Sequence, residues 1–299
     1  MLDPGELAIL SGGGQIDIII ASSAYPQIKR QLQKYGYQDR QIHLFNFAFS
    51  DVEYTDRDFI FDNLENFAWT FQRLCDDKSR RILNYKITTK NEWLEAMQSD
   101  IDDEVNQYFD KELVRISDSE SFADVGSYVG DTLKRFVEIT EGKFNSYYGC
   151  EADYSTFLRL KEYSVRLCSD TDNIYLYNVA AWDRTAGLRV TGRGETYGSY
   201  SYAEEPGEIK AEALDNILIN VPVTLVKMDI EGAEHKALCG LKKTIEKYRP
   251  KLAICVYHKR DDYFKIPMEI DKISKGTYKF YFRQYRYTPT ETVCYAIPK

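Results

Sequence analysis

Apolar and polar positions follow two textures along this chain of 299 residues. Residues 16–21 (IDIIIA) form a short apolar run of the kind that makes a buried strand. Residues 25–35 have helical spacing and stop at Gly36, a helix-terminating glycine. Residues 43–49 (HLFNFAF) read as a second strand, so residues 1–60 are expected to form a small Rossmann-like half-domain. Leu64, Phe67, Ala68, Phe71 and Leu74 then recur every three or four positions, on one face of a helix. Trp93, Met97, Ile101, Val105 and Tyr108 repeat that spacing and predict a further helix in a connecting region over residues 61–115.

From residue 116 onward the texture is a regular alternation. Strands are expected over residues 122–125, 147–150, 174–180, 224–228 and 252–257, and helices over 132–140, 155–167 and 233–248. Residues 187–213, rich in Gly, Tyr and Ser, read as a hairpin or a mobile loop, with 192–202 as a candidate lid. Residues 278–285 and 292–297 are set to pair as a closing antiparallel hairpin. This order implies an α/β fold with a doubly wound, mostly parallel sheet over residues 116–299. Such sheets bind ligands beyond the carboxyl ends of the central strands, where the strand order reverses.

Composition narrows the partners. Hydrophobic residues make up 43% of the chain, enough for a full-sized core, and the net charge of −8 comes without any Lys/Arg block. Neither nucleic acid nor an anionic membrane surface is therefore expected as a partner. No uncharged apolar stretch reaches the ~18 residues that a membrane span requires, and the N-terminus has no secretory pattern. A cytoplasmic protein is expected. Six cysteines are present without a Cys-x-x-Cys pair; Cys150, Cys255 and Cys294 sit in strand-like runs. They read as buried free thiols, with no structural zinc.

The segment carrying most chemistry is Ser121-Phe-Ala-Asp124-Val-Gly126-Ser-Tyr128-Val-Gly130-Asp131, at a strand-to-helix turn. Gly126 permits a sharp turn and close approach of a ligand, Gly130 permits close packing of the helix, and the helix start offers free N–H groups. The dinucleotide pattern G-x-G-x-x-G is absent. Asp124 disfavours a pyrophosphate and suits the cationic amino group of a methionine moiety. Glu151 ends the next strand, where a carboxylate can accept both hydroxyls of a ribose. These features favour S-adenosylmethionine, held by Asp124, Gly126, Ser127, Tyr128, Gly130, Asp131, Thr132 and Glu151. Ala180, Ala181 and Asp183, after the third strand, are candidates for the adenine. The Gly-rich residues 11–14 precede a strand and read as a plain loop.

FADVGSYVGDT (122–132), NVAAWD (178–183), VKMDIEGAEHKAL (226–238), PKLAICVYHKRDD (250–262) and the C-terminal YKFYFRQYRY and ETVCYAIP together resemble the FkbM family of methyltransferases. The likeness runs from about residue 120 to the end, with a weaker match of the helical middle and the first strand to the family's longer, glycan-associated members. It implies a class I methyltransferase fold, O-methylation, and a sugar or polyketide-type hydroxyl as acceptor. The longer members often carry Arg-His-Tyr near the last hairpin. Here it is Arg283-Gln284-Tyr285, so no role passes to that histidine.

Methyl transfer to a hydroxyl needs an aligned acceptor and a group to take its proton. Asp229 closes the strand LVKMD, Glu231 follows in the turn, and His258 follows LAICVY. His258 is expected as general base, with Asp229 or Glu231 orienting it or the acceptor. No metal site is assigned; a divalent ion at these three residues is the lesser alternative. Glu234 suits a helix start, and His235 should be solvated. Arg283, Tyr257 and Tyr285 are expected to bind substrate, with Phe280 and Phe282 facing the core. The expected reading is thus an O-methyltransferase acting on a small-molecule or glycan acceptor, with a homodimer left open. The rivals are a non-catalytic scaffold of the same fold and an NAD-dependent sugar oxidoreductase.

Overall fold

A computed structural model of the chain describes residues 18–20, 25–38, 41–44, 57–88, 97–168, 172–193, 200–204, 207, 209–286 and 290–299. At the N-terminus, β1 (Ile18–Ile20) and β2 (Ile42–Leu44) pair in parallel, connected through α1 (Tyr25–Lys34). The remainder of both expected strands, and the glycines at 12–14, lie outside the described residues. Three helices follow: α2 (Arg57–Asp62), α3 (Leu64–Arg73) and α4 (Asp77–Thr88).

The second expected helix of this region does not form over residues 97–108. Two 3₁₀ turns, Met97–Asp100 and Glu104–Asn106, stand there instead. Between them Ile101 bridges to Gln284, and the Asp102 amide donates to the Gln284 carbonyl at 2.8 Å. Pairing with a sheet edge has overridden the helical spacing.

The remaining strands are β3 (Ser121–Val125), β4 (Ser146–Glu151), β5 (Ile174–Asn178), β6 (Ala180–Trp182), β7 (Ala186–Arg193), β8 (Tyr200–Glu204), β9 (Ile209–Ala213), β10 (Leu225–Met228), β11 (Lys251–Cys255), β12 (Tyr278–Gln284) and β13 (Thr292–Pro298). The helices among them are α5 (Asp131–Thr140), α6 (Tyr154–Leu167), α7 (Leu214–Ile217), α8 (Glu234–Cys239), α9 (Lys242–Tyr248) and α10 (Asp262–Ser274). Seven strands form one sheet in the order β12-β13-β11-β10-β3-β4-β5. The five strands from β11 to β5 run parallel, and β13 inserts between β11 and β12, antiparallel to both. This is the doubly wound class I methyltransferase arrangement, with its closing antiparallel hairpin.

Alternate residues of the central strands feed two apolar layers. Val125, Met228 and Ile254 face Leu238, Ile245 and Ile270 on one side; Phe122, Leu225 and Tyr147 face Leu133 and Phe136 on the other. Phe67, Leu74, Ile82 and Leu83 join the first layer beside Phe280 and Phe282, while Tyr108, Phe109 and Val114 join the second. The connecting region therefore shares the core of the sheet it precedes.

Residues 187–213 build structure of their own. β7 and β8 form a hairpin, and with β6 and β9 they make a four-stranded sheet ordered β6-β9-β7-β8. Residues 194–199 of the candidate lid lie outside the described residues. The single helix expected over 233–248 is broken at Gly240, where a Cβ would stand 1.9 Å from the Trp182 carbonyl oxygen. Asp215 restarts the helix, accepting from the amides of Lys243 and Thr244 at 2.8 and 2.9 Å. Cys150, Cys255 and Cys294 are buried free thiols, as expected. Among the described residues no helix is long and apolar enough to cross a membrane.

Candidate active site

β3 and β10 lie side by side at the reversal of strand order, and their carboxyl ends mark the place where such a sheet forms its ligand crevice. Its first wall is the turn after β3. Gly126 has φ +83°, and a Cβ there would stand 1.9 Å from the Asp229 carbonyl oxygen. Gly130 has φ +94°, and its missing Cβ leaves room for the Tyr163 ring, 2.9 Å from the ideal Cβ position. Tyr128 between them has φ +47° and an exposed side chain. Its amide donates to Glu151 Oε2 at 3.0 Å, and the Asp153 amide to Oε1 at 2.9 Å. Glu151 thus braces the turn from the end of β4, and each of its oxygens keeps a second acceptor site. Burial raises its pKa against these two hydrogen bonds. Asp131 is exposed on the first turn of α5; Thr132 is buried. The Ser127 hydroxyl is spent inside the turn, donating to the Asp124 carbonyl at 2.7 Å.

Asp124 does not face the crevice, contrary to expectation. Its side chain is fully buried, 3.1 Å from Lys227 Nζ, and accepts from the Tyr147 hydroxyl at 2.6 Å. Lys227 is its register partner on β10, so the two side chains leave the same face of the sheet. Two of the three adenine candidates are likewise engaged. Ala181 is buried in the core, and Asp183 pairs with Lys236 at 2.9 Å. Ala180, half-buried, follows Val179, whose amide donates to the Glu151 carbonyl at 3.1 Å.

The second wall follows β10 and β11. His258 is 1% exposed and surrounded by acids. Nδ1 lies 2.9 Å from Glu234 Oε1, and Nε2 lies 3.5 Å from both Asp229 Oδ1 and Glu231 Oε2. These are ion-pair contacts, not aligned hydrogen bonds. A neutral imidazole would set a ring-nitrogen lone pair among these carboxylates; the imidazolium sets a positive charge and an N–H at each ring nitrogen beside them. Burial opposes that charge, but Glu234, Asp229 and Glu231 outweigh it and push the pKa up to about 10. His258 is therefore protonated at neutral pH, which conflicts with its expected role as the resting base. Glu231 responds in the opposite sense to an ordinary exposed acid. Burial and the neighbouring acids, opposed by His258, raise it to about 7. Asp229 stays below the usual carboxylate range: His258, Lys227 and the Tyr108 hydroxyl overcome the cost of burial. Atoms of Asp229, Glu234 and His258 lie within 4.8 Å of one another, close enough to hold a cation once the imidazolium gives up one proton.

Glu234 is more than a helix-start acid. It is fully buried, and its Oε1 also accepts from the Ile230 amide at 2.9 Å, tying His258 to the turn that carries Glu231. His235 is part-exposed beside Glu269, as expected of a surface histidine. Tyr257 joins the site, donating to Asp229 Oδ1 at 3.1 Å. Arg283 and Tyr285 do not. Arg283 is 3% exposed and pairs with Asp76 at 2.8 Å and Asp110 at 3.5 Å, clamping the start of α4 to β12. The Tyr285 hydroxyl meets that of Tyr295 at 2.6 Å in the core. Both lie on the strand face opposite Phe280 and Phe282, but Asp76, Asp110 and the Tyr295 hydroxyl already occupy their polar groups.

Sequence reading missed Tyr108, Gln107, Glu291 and Lys227. The Tyr108 hydroxyl donates to Asp229 Oδ2 at 2.9 Å, and Gln107 Nε2 donates to Tyr108 at 3.1 Å and to Glu291 Oε2 at 2.7 Å. Backbone strain marks the same places. Among the described residues eight non-glycine residues have positive φ. Glu141, Arg249 and Lys275 end helices, where that conformation is ordinary, and Asn220 tolerates it in a turn. The other four, Tyr108, Tyr128, Glu231 and Glu291, all border this crevice. Strain of this kind collects where a side chain must be aimed.

A model of the FkbM methyltransferase domain matches residues 124–285, more than half of the chain. No curated protein matches. Among solved structures, a methyltransferase FkbM from Methylobacillus flagellatus KT is 26% identical, with a TM-score of 0.69 over 91% of this chain and 70% of its own. An rRNA methylase from Streptococcus thermophilus is 12% identical, with a TM-score of 0.40 over 62% of this chain and 89% of its own. Aeropyrum pernix fibrillarin, solved with natively bound S-adenosyl-L-methionine, is also 12% identical, with a TM-score of 0.40 over 62% of this chain and 71% of its own. With the family's domain matched from Asp124 to Tyr285 and the same fold in the M. flagellatus protein, the chain belongs to the FkbM methyltransferase family.

Proposed function

We propose that the chain is an S-adenosylmethionine-dependent O-methyltransferase acting on a hydroxyl of a sugar or glycan precursor. One observation carries the reading: the glycine turn braced by Glu151 and the Asp229–Glu231–His258 cluster open onto the same crevice. The turn suits the cofactor, with Gly126, Tyr128, Gly130 and the first turn of α5 as its backbone cradle and Glu151 for the ribose. When bound, S-adenosylmethionine supplies an electrophilic methyl group on a sulfonium.

The chain's own task is to aim a hydroxyl and take its proton. Glu231 is the residue for the proton: its side chain is 48% exposed, and a pKa of about 7 matches a base at neutral pH. His258, charged and buried, holds Glu231 and Asp229 in place. Asp229, fixed by Tyr108 and Tyr257, accepts a hydrogen bond from the acceptor. Gln107, Glu291 and Tyr257 line the acceptor side with donors, acceptors and an aromatic face, a set suited to a polyhydroxylated ring. The family's shared name and fold with the M. flagellatus protein support methyl transfer.

Calorimetric titration of S-adenosylhomocysteine into the purified chain tests the cofactor, followed by its release on incubating S-adenosylmethionine with a panel of nucleotide sugars and glycosides. Micromolar binding and turnover on a sugar are expected. A folded chain that binds nothing, alone or with the panel, would return the reading to a scaffold; NADH binding in its place would favour an oxidoreductase.

A further inference from the structure

Lys227 is the buried charge that the proposed chemistry leaves unused. Its side chain is 3% exposed, yet it sits among the functional elements of both walls. Nζ pairs with Asp124 at 3.1 Å and donates to the Gly126 carbonyl at 2.6 Å. It also lies 5.1 Å from the centre of the Tyr108 ring, whose hydroxyl holds Asp229. The Gly126 carbonyl belongs to a residue pressed against the Asp229 backbone, with its amide bonded to the Cys150 carbonyl at 2.9 Å. Lys227 supplies the remaining restraint on that peptide, and Asp124 with Tyr147 keeps the ammonium in place.

We propose that Lys227 is the positioning residue of the cofactor turn, and that Asp124 acts through Lys227 instead of on the cofactor. This rests on the reading that the turn binds S-adenosylmethionine. It differs from the expectation raised by the Asp-x-Gly pattern, in which Asp124 meets the cofactor's amino group. The same ammonium, through Tyr108, also ties the turn to the acceptor side.

Two variants separate these roles. Asp124→Asn keeps an oxygen for Lys227 and keeps the bond from Lys227 to the Gly126 carbonyl. Asp124→Asn with Lys227→Met removes both charges together, so neither is stranded in the core, but leaves the Gly126 carbonyl without its donor. Calorimetry with S-adenosylhomocysteine should find the single variant within about threefold of the parent and the double variant weaker by about tenfold or more, the worth of one charged hydrogen bond. Hydrogen–deuterium exchange should show faster exchange at residues 126–131 in the double variant alone, without any ligand. Equal affinity and equal exchange in the two variants would overturn the role of Lys227. A single variant as weak as the double would return Asp124 to direct contact. Should the parent bind no cofactor, the functional reading fails, while the exchange data still decide whether Lys227 holds the turn. If the double variant does not fold, Asp124→Asn with Lys227→Leu, which likewise offers no donor to the Gly126 carbonyl, carries the same comparison.

Discussion

The two walls of the crevice are built by opposite means. The cofactor wall is local: the turn from Gly126 to Gly130 and the helix start behind it come from one short stretch, and it works through backbone groups freed by left-handed residues. The acceptor wall gathers side chains from four distant stretches, around Tyr108, Asp229, His258 and Glu291, and works through charge. Two consequences follow. A backbone cradle responds to pH and to side-chain change chiefly through the groups that brace it, Glu151 and Lys227. A cluster of acids around one imidazolium is poised by mutual electrostatics, so that each member sets the protonation of the others.

Removing the exposed acid is the strongest way to break the acceptor wall. Glu231→Gln should lower kcat by roughly 10²- to 10⁴-fold, the usual worth of a positioned base, and leave stability within about 0.5 kcal/mol because the side chain is half-exposed. A base must be unprotonated to act, so kcat/KM of the parent should rise with pH through about 7 as Glu231 ionises. It should fall again only as His258 loses its proton near 10. A parent profile that is flat across pH 7 would remove Glu231 as the base.

Next in size is the buried partner. Glu234→Ala leaves the imidazole buried beside fewer acids and the Ile230 amide without its acceptor. Breaking such a buried pair costs about 3–5 kcal/mol, measurable by urea unfolding. The sign with pH follows from His258, whose folded pKa lies above its unfolded value. Its contribution is fully present below about pH 6.5 and is lost as pH rises through about 10, so the gap between parent and variant should narrow in alkali. A variant as stable as the parent would show that the pair holds nothing.

The smallest effect separates clamp from site. Arg283→Met should cost roughly 2–3 kcal/mol, less than a fully enclosed pair because Asp76 is part-exposed. It should leave S-adenosylhomocysteine affinity and acceptor KM unchanged. A raised acceptor KM at undiminished stability would put Arg283 back in the substrate site.

The cofactor wall was legible because its information is contiguous. Gly126, Gly130 and the strand-terminal Glu151 announce a turn and its brace whatever the rest of the chain does. The acceptor wall was half legible. Asp229, Glu231 and His258 could be placed at strand ends, since the strands themselves could be found. Their protonation could not, because it depends on three acids meeting one ring at 2.9 to 3.5 Å. Tyr108 carried the helical spacing of a core residue and gave no sign that it would adopt φ +66° and reach Asp229. Arg283 failed for a related reason: alternation along a strand says which residues share a face, but not what covers that face.

By itself, the order of apolar runs and glycines determined the doubly wound sheet, the closing hairpin and the position of the glycine turn after β3, because hydrophobic periodicity and backbone freedom are local properties. Only the tertiary structure decided that Asp124 turns inward to Lys227, that Arg283 is a clamp, and that Glu231 and not His258 is poised near neutrality. Those outcomes depend on burial and on charges brought together from distant parts of the chain, and electrostatic energy is set by distance in space rather than along the sequence.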